Sequence, residues 1–204
     1  MTDLFEFENQ YSEKGYKIIA GIDEAGRGPL AGPVVAACAI MPLDDIIEGI
    51  NDSKKLSEKK REALFETIKE KAVAYSIVEM SAEIIDRINI LEATKKAMTQ
   101  CVDQLSVKPD IVFIDAVKLN LSVENLSIIK GDARSYNIAA ASILAKVHRD
   151  RLMREYAKQY PEYGFDKHKG YGTSEHIRAL REIGPCPLHR PLFIRNFIDG
   201  SDKK

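Results

Sequence analysis

Four carboxylates sit where short apolar runs end. Asp23 and Glu24 follow the run Lys17–Ile22, Asp115 closes Asp110–Asp115 (DIVFID), and Asp132 follows Ser127–Lys130 across a single glycine. In open α/β sheets, sites gather beyond strand ends, so this placement lets the four converge at one edge of a sheet. Carboxylates brought together without paired bases repel one another, and a hard divalent cation relieves that repulsion. With no cysteine or clustered histidine among the donors, an all-oxygen site suits Mg²⁺ or Mn²⁺. Two such ions close together activate water, steady a leaving oxygen and so hydrolyse a phosphodiester in line. Taken singly, each acid also reads as a solvated turn residue or a helix cap. Consecutive strand residues point to opposite faces, so Asp23 and Glu24 share a site only if the strand breaks there, and Ala25-Gly26 offers a break.

The loop that follows, Gly26-Arg27-Gly28-Pro29-Leu30-Ala31-Gly32, has the spacing G-x-G-x-x-x-G. It departs from the dinucleotide fingerprint, opens no helix and lacks the Gly-Lys-Ser/Thr ending of a P-loop. Its glycines allow backbone groups to approach a sugar-phosphate closely; the alternative is an ordinary hairpin turn. Two basic loops, Asp52–Leu56 with Lys54 and Lys55, and Lys167–Thr173, can hold phosphates or stand solvated. In the second, Tyr171 lies between glycines and offers an aromatic face to a sugar or base. Arg149, Arg151 and Arg154 read as the solvated face of a helix.

The elements that must position these residues follow from periodicity. Lys17–Ile22 and Gly32–Met41 read as buried strands joined as a hairpin through Arg27–Ala31. Ser57 caps a helix carried by Leu64, Phe65, Ile68 and Ala72, and Ala74–Met80 is a third strand. Asn89 with Glu92 resembles a capping box opening a helix through Leu105, which Pro109 ends. Asp110–Asp115 and Ser127–Lys130 are strands, Arg134–Tyr160 is a long helix, and Thr173 caps a shorter one to Arg181, before an irregular proline-rich end. The order β-β-α-β-α-β-β-α-α makes an α/β domain with a mixed sheet and a helical appendage.

The 204 residues suit one domain, or one with a small appendage; 45% are hydrophobic and 30% charged, which argues against disorder. A net charge of −1 hides an asymmetry, since from Lys130 onward there are 15 Lys/Arg against 9 Asp/Glu, and before it 15 against 22. A polyanion is the partner such a basic C-terminal third suits. Cys38, Cys101 and Cys186 show no C-x-x-C spacing, so neither zinc nor a disulfide framework is expected. No apolar run approaches the ~20 residues of a membrane span, and Met1–Tyr16 lacks a signal segment; cytoplasm is the default.

Together the segments GIDEAGRGPLAGPVV (Gly21–Val35), DSKKL (Asp52–Leu56), FIDA (Phe113–Ala116), KGDARSYNIAAASILAKVHRDR (Lys130–Arg151), HKGYGT (His168–Thr173) and GPCPLHR (Gly184–Arg190) resemble ribonuclease HII, the type 2 ribonuclease H family. The resemblance covers most of the chain, in order. It implies an RNase H-like fold, a five-stranded mixed sheet flanked by helices, over residues 1–160, with a helical C-terminal extension over residues 161–204. It further implies that Asp23, Glu24, Asp115 and Asp132 are catalytic metal ligands, and that Gly26, Arg27 and Gly28 form a loop sensing a ribose 2′-hydroxyl. Tyr171 then packs on the adjoining deoxyribose, while Lys54 and Lys55 contact phosphates. The implied partners are an RNA/DNA hybrid and duplex DNA containing ribonucleotides, with no membrane, no obligate protein partner, and a monomer as default. A different Mg²⁺-dependent phosphoryl enzyme would instead turn over small phosphate esters, and a binding module would show salt-sensitive binding without turnover.

Overall fold

Apolar runs pair into one five-stranded sheet. The computed structural model describes residues 3–198; Met1, Thr2 and residues 199–204, the last part of the expected C-terminal extension, lie outside them. β1 (Ile19–Ala25) pairs antiparallel with β2 (Val34–Ile40), which pairs antiparallel with β3 (Ala74–Met80), while β4 (Ile111–Asp115) and β5 (Glu124–Ile128) add in parallel on the other side of β1, giving the order β3-β2-β1-β4-β5. All seven residues of β2 are buried, because both sheet faces are covered. Val34, Ala36, Cys38 and Ile40 pack with Ala93, Ala97, Met98 and Cys101 of α4 (Ile90–Asp103). Val35, Ala37 and Ala39 pack with α2 (Glu58–Lys71) and with Ala140, Ile143 and Leu144 of α5 (Tyr136–Gln159). Each fully buried Val, Leu, Ile, Phe or Met side chain contributes roughly 1.5–3 kcal/mol, so burial on both faces of the sheet is a major source of stability.

The expected strands and helices form, with instructive shifts. Ser57 caps α2 by accepting from the Lys60 N–H. Asn89 caps α4 through Leu91 and Glu92 at 2.9 and 3.1 Å. β5 ends at Ile128, two residues before its expected end, and Lys130 is left-handed with φ of 56°; this edge strand is only half buried, which weakens its pattern. Four helices come from segments not read as helical: α1 (Glu6–Glu13) from the polar leader, α3 (Ala82–Ile88), α6 (Phe165–His168), which overlaps the expected Lys167–Thr173 loop, and α8 (Pro191–Ile198) from the irregular end. Two short helices, α6 and α7 (Ser174–Ile183), complete the C-terminal part. It packs on the main body through Leu30, Ala31, Met153, Tyr163, Phe165, Leu180 and Ile194.

Two contacts seat α5 on the sheet. A Cβ on Gly21 would meet the Asn137 carbonyl carbon and the Ile138 nitrogen at 2.2 Å, so glycine is what lets the start of α5 lie directly on β1. The buried Glu8 of α1 accepts from the Ser135 hydroxyl at 2.6 Å and from the Asn137 backbone and side-chain N–H groups at 3.0 Å. Its carboxyl sits at the helix N-terminus, where a negative group is favoured, although burial raises its pKa. Removing that acceptor leaves buried donors unpaired, at roughly 1–3 kcal/mol for each group. Glu8→Ala is therefore expected to lose about 3 kcal/mol and to lower Tm by roughly 6–12 °C, measured by thermal and urea unfolding; an unchanged Tm would show that α1 does not anchor α5.

Candidate functional site

Side-chain alternation decides which acids meet. Ile19 of β1 and Ile111 and Phe113 of β4 pack with Ile138 of α5, so by the two-residue period Asp23 and Asp115 belong to that same face. The strands are in register at Ile22 and Ile114, which places the two acids side by side. Asp132 joins them from the turn Gly131–Ala133 that follows β5. Oxygen atoms of Asp23, Asp115 and Asp132 lie within 4.8 Å of one another. The Gly131 N–H donates to Asp115 Oδ1 at 2.7 Å and locks the turn onto β4.

Glu24 does not join this trio. The strand does not break at the acids: β1 stays paired with β2 through Ala25, with Asp23 opposite Ala37 and Glu24 opposite Ala36. Glu24 therefore points to the other face. Its Oε1 faces Arg27 Nη1 at 3.4 Å, and its Oε2 is buried with no hydrogen-bond partner. It remains close enough to Asp115 and Lys54 to feel both charges.

The electrostatics are those of a site that wants a cation. Burial raises the pKa of Asp23, and the neighbouring charges of Glu24 and Asp115 raise it further. Burial also raises Asp115, opposed by the Gly131 N–H and Lys54. Asp132 is raised by burial and by Asp115 and Asp52, with Lys54 opposing. Three crowded oxygen donors with few partners fit a hard divalent ion. Among the protein's own groups, Lys54 supplies the counter-charge: its Nζ is 3.6 Å from Asp132 Oδ2, on an exposed side chain. Lys55 instead turns to Asp52 at 3.8 Å.

Several contributing residues escaped the sequence reading. Asp52 caps the turn Ser53–Lys55 and brings a further carboxylate beside Asp132. Ser142 of α5 stands beside Asp23, lowering its pKa, and shares a 2.8 Å hydrogen bond with Ser53. Hydroxyls inside a helix read as small packing residues, so the sequence carries no signal for this role.

The hairpin loop is shaped by two buried arginines. Arg149, expected on a solvated face, is 1% exposed; its Nε, Nη1 and Nη2 donate to the carbonyls of Pro33, Lys169 and Ala31 at 2.9–3.1 Å. Arg190 donates to the carbonyls of Gly26, Arg27 and Gly32 at 2.6–3.0 Å. Arg151 and Arg154 do remain outside, pairing with Glu58, Glu62 and Glu66 of α2. Gly26 has φ of +94°, and a Cβ there would strike Arg149 Nε at 2.1 Å, so no other residue fits. Leu30 N–H donates to Gly170 O at 2.8 Å, which ties this loop to the Lys167–Thr173 loop. Tyr171 is 46% exposed, and a Cβ on Gly28 would stand 3.9 Å from its ring. Gly28 and Tyr171 thus form one surface.

Comparison with known proteins agrees with this geometry. The family model described as Ribonuclease HII matches residues 20–196. A ribonuclease HII of Acetivibrio thermocellus is 58% identical over 193 residues, covering 94% of this chain and 75% of that protein. One from Ruminiclostridium cellulolyticum is 56% identical over 200 residues, covering 98% and 78%. The crystal structure of ribonuclease H2 from Pyrococcus horikoshii superposes with a TM-score of 0.77 at 26% identity, covering 90% of this chain and 98% of that one. Among the described residues no helix is long and apolar enough to cross a membrane. An acidic trio at the ends of neighbouring parallel strands and in the turn beyond the next, in a sheet of this order and within a sequence this close to its relatives, has one reading: the chain belongs to the ribonuclease HII family and is a ribonuclease H hydrolase.

Proposed function

We propose that this chain is an endoribonuclease that hydrolyses the phosphodiester of ribonucleotides in RNA/DNA hybrids. It also nicks duplex DNA on the 5′ side of a single embedded ribonucleotide, the opening step of ribonucleotide excision repair. The observation that carries the reading is the acidic trio of Asp23, Asp115 and Asp132, next in the fold to a glycine loop that forms one surface with Tyr171. We assign residues 1–160 to the catalytic domain and residues 161–204 to an extension packed on it. The enzyme acts in the cytoplasm as a monomer without an obligate protein partner.

Asp23, Asp115 and Asp132 would hold the ions, with Glu24 as the fourth carboxylate ligand. Two Mg²⁺ or Mn²⁺ ions, when bound, supply the Lewis acidity that lowers the pKa of an attacking water and steadies the departing 3′ oxygen. The P–O3′ bond breaks, the 3′ oxygen takes a proton, and the water oxygen stays on phosphorus. The products are a 3′-hydroxyl and a 5′-phosphate. Gly26, Arg27 and Gly28 face the ribose; a 2′-hydroxyl is the one group that marks the target sugar, and it is too small for a long side chain to grip. The Tyr171 ring packs on the adjoining deoxyribose. Lys54 and Lys55 attract the phosphate backbone, a contact that weakens with salt.

On duplex DNA carrying one ribonucleotide, the protein is expected to cut once, immediately 5′ of that residue, with Mg²⁺ or Mn²⁺ and not with EDTA. An all-DNA duplex stays intact. Asp115→Asn brings cleavage to background while hybrid binding in filter or anisotropy assays is largely kept; parallel loss of both in a folded variant would remove the catalytic assignment. Tyr171→Ala lowers cleavage at the single ribonucleotide relative to a long hybrid by about tenfold, the low end of one lost aromatic stack, without altering metal affinity. An unchanged ratio would remove Tyr171 from recognition.

A further inference from the structure

Behind Tyr171 runs a chain of hydrogen bonds whose proton positions can be assigned one by one. His176 and His189 are buried, at 0% and 4% exposure. The Cys186 backbone N–H points at His189 Nδ1 at 2.9 Å. A ring nitrogen that accepts an amide proton carries none of its own. The Cys186 carbonyl, 3.2 Å from the same nitrogen, already accepts from the His189 backbone N–H at 3.0 Å. The proton of neutral His189 is therefore on Nε2, which lies 2.9 Å from His176 Nε2 and donates to it. His176 must then carry its proton on Nδ1, which donates to the Tyr171 carbonyl at 2.9 Å.

The surroundings keep both rings neutral and immobile. His168 stacks on His176 at 4.5 Å, Phe165 meets it edge-on at 5.5 Å, and Tyr163 lies 4.9 Å from His189. His168 is itself fixed, accepting from the Gly170 N–H at 3.2 Å, with Nε2 donating to Tyr163 O at 2.7 Å. Burial lowers the pKa of His176, and that of His189 to about 4, so neither is charged near neutrality. A neutral ring has one donor and one acceptor, so the orientation of each determines the next.

We propose that His176 is a positioning residue for Tyr171, that His189 sets its tautomer, and that the pair thereby determines how well the enzyme selects a ribonucleotide junction. The inference rests on the reading of Tyr171 as the sugar-packing residue. The Tyr171 carbonyl takes two donors, His176 Nδ1 and the Thr173 N–H at 2.8 Å. The tyrosine backbone is thus held from inside while its ring stands in solvent beside Gly28. No carboxylate of the acidic trio takes part, so recognition and hydrolysis separate experimentally.

The test compares kcat/KM on a single-ribonucleotide duplex with kcat/KM on a long hybrid for His176→Asn, His176→Gln, His176→Phe and Tyr171→Ala. Asparagine places an amide nitrogen where Nδ1 stands and keeps the donor to Tyr171. Glutamine reaches the Nε2 position and keeps only the acceptor for His189, and phenylalanine keeps neither. The junction-to-hybrid ratio is expected to fall about tenfold for the Phe and Gln variants, near the worth of one buried hydrogen bond, and to stay near wild type for Asn. A ratio lowered by Tyr171→Ala but untouched by His176→Phe overturns the relay alone. A ratio untouched by both overturns the reading of Tyr171 and the relay with it. Long-range ¹H–¹⁵N correlation on the unmutated protein gives a second measurement independent of variant folding. It should show the Nδ1–H tautomer for His176 and Nε2–H for His189; the reverse tautomers overturn the proposal.

Discussion

Two buried positive charges without carboxylate partners determine the shape of the glycine hairpin loop and the surface it shares with Tyr171. Bringing a guanidinium out of water costs several kcal/mol unless its donors are met. Arg149 and Arg190 meet theirs with backbone carbonyls alone among the described residues. Burial, with Arg149 close by, draws the pKa of Arg190 down to about 9, still charged at neutral pH. The hairpin loop cannot relax without stranding these charges, because Gly26, Arg27, Ala31, Gly32 and Pro33 all turn a carbonyl inward to them. Each arginine comes from a different element, α5 and the segment before α8, so loop, helix and C-terminal part form one unit. Two planar donor forks in sequence-distant places would not be replaced by lysine, which lacks the fixed fork.

The acidic trio depends on the opposite arrangement, negative charges crowded together and met by very few donors. Asp115 has the Gly131 N–H, and Lys54 approaches Asp132 from solvent. Backbone strain gathers at the same place. Ala116 directly after Asp115 and Lys130 two residues before Asp132 both have positive φ, at 51° and 56°, a conformation that costs of order 1 kcal/mol for residues with a side chain. Parallel pairing of β4 with β5 and the turn after β5 hold both residues there. Local rules give way where the three acids must be brought to one point.

Much of this arrangement was legible in the sequence, and the exceptions share a physical cause. Strands buried on both faces and helices with capping residues announce themselves through composition and period, so β1–β4, α2, α4, α5 and α7 were readable. The acids could be found because each ends such a run. What sequence reading missed depends on partners distant in the chain. Arg149 looks like its exposed neighbours Arg151 and Arg154 until the loop closes over it, and Glu8 looks like a leader acid until it meets Asn137. His176 and His189 are thirteen residues apart and meet only through the fold of the C-terminal part. The face to which Glu24 points followed from strand parity, but whether β1 broke before it depended on pairing with β2.

α5 spans both halves of the surface. Ser142 stands beside Asp23, and Arg149 holds the loop; seven residues separate them, two helical turns, or about 10 Å along the axis. Two turns return the side chains to one side of the helix, so the contact to Asp23 and the support of the glycine loop are mounted on a single stiff rod. The spacing between these two supports is therefore a property of helix geometry. Insertions between those two residues would alter that gauge in steps of 1.5 Å and 100°, which makes this stretch of α5 far less tolerant of length change than of surface substitution.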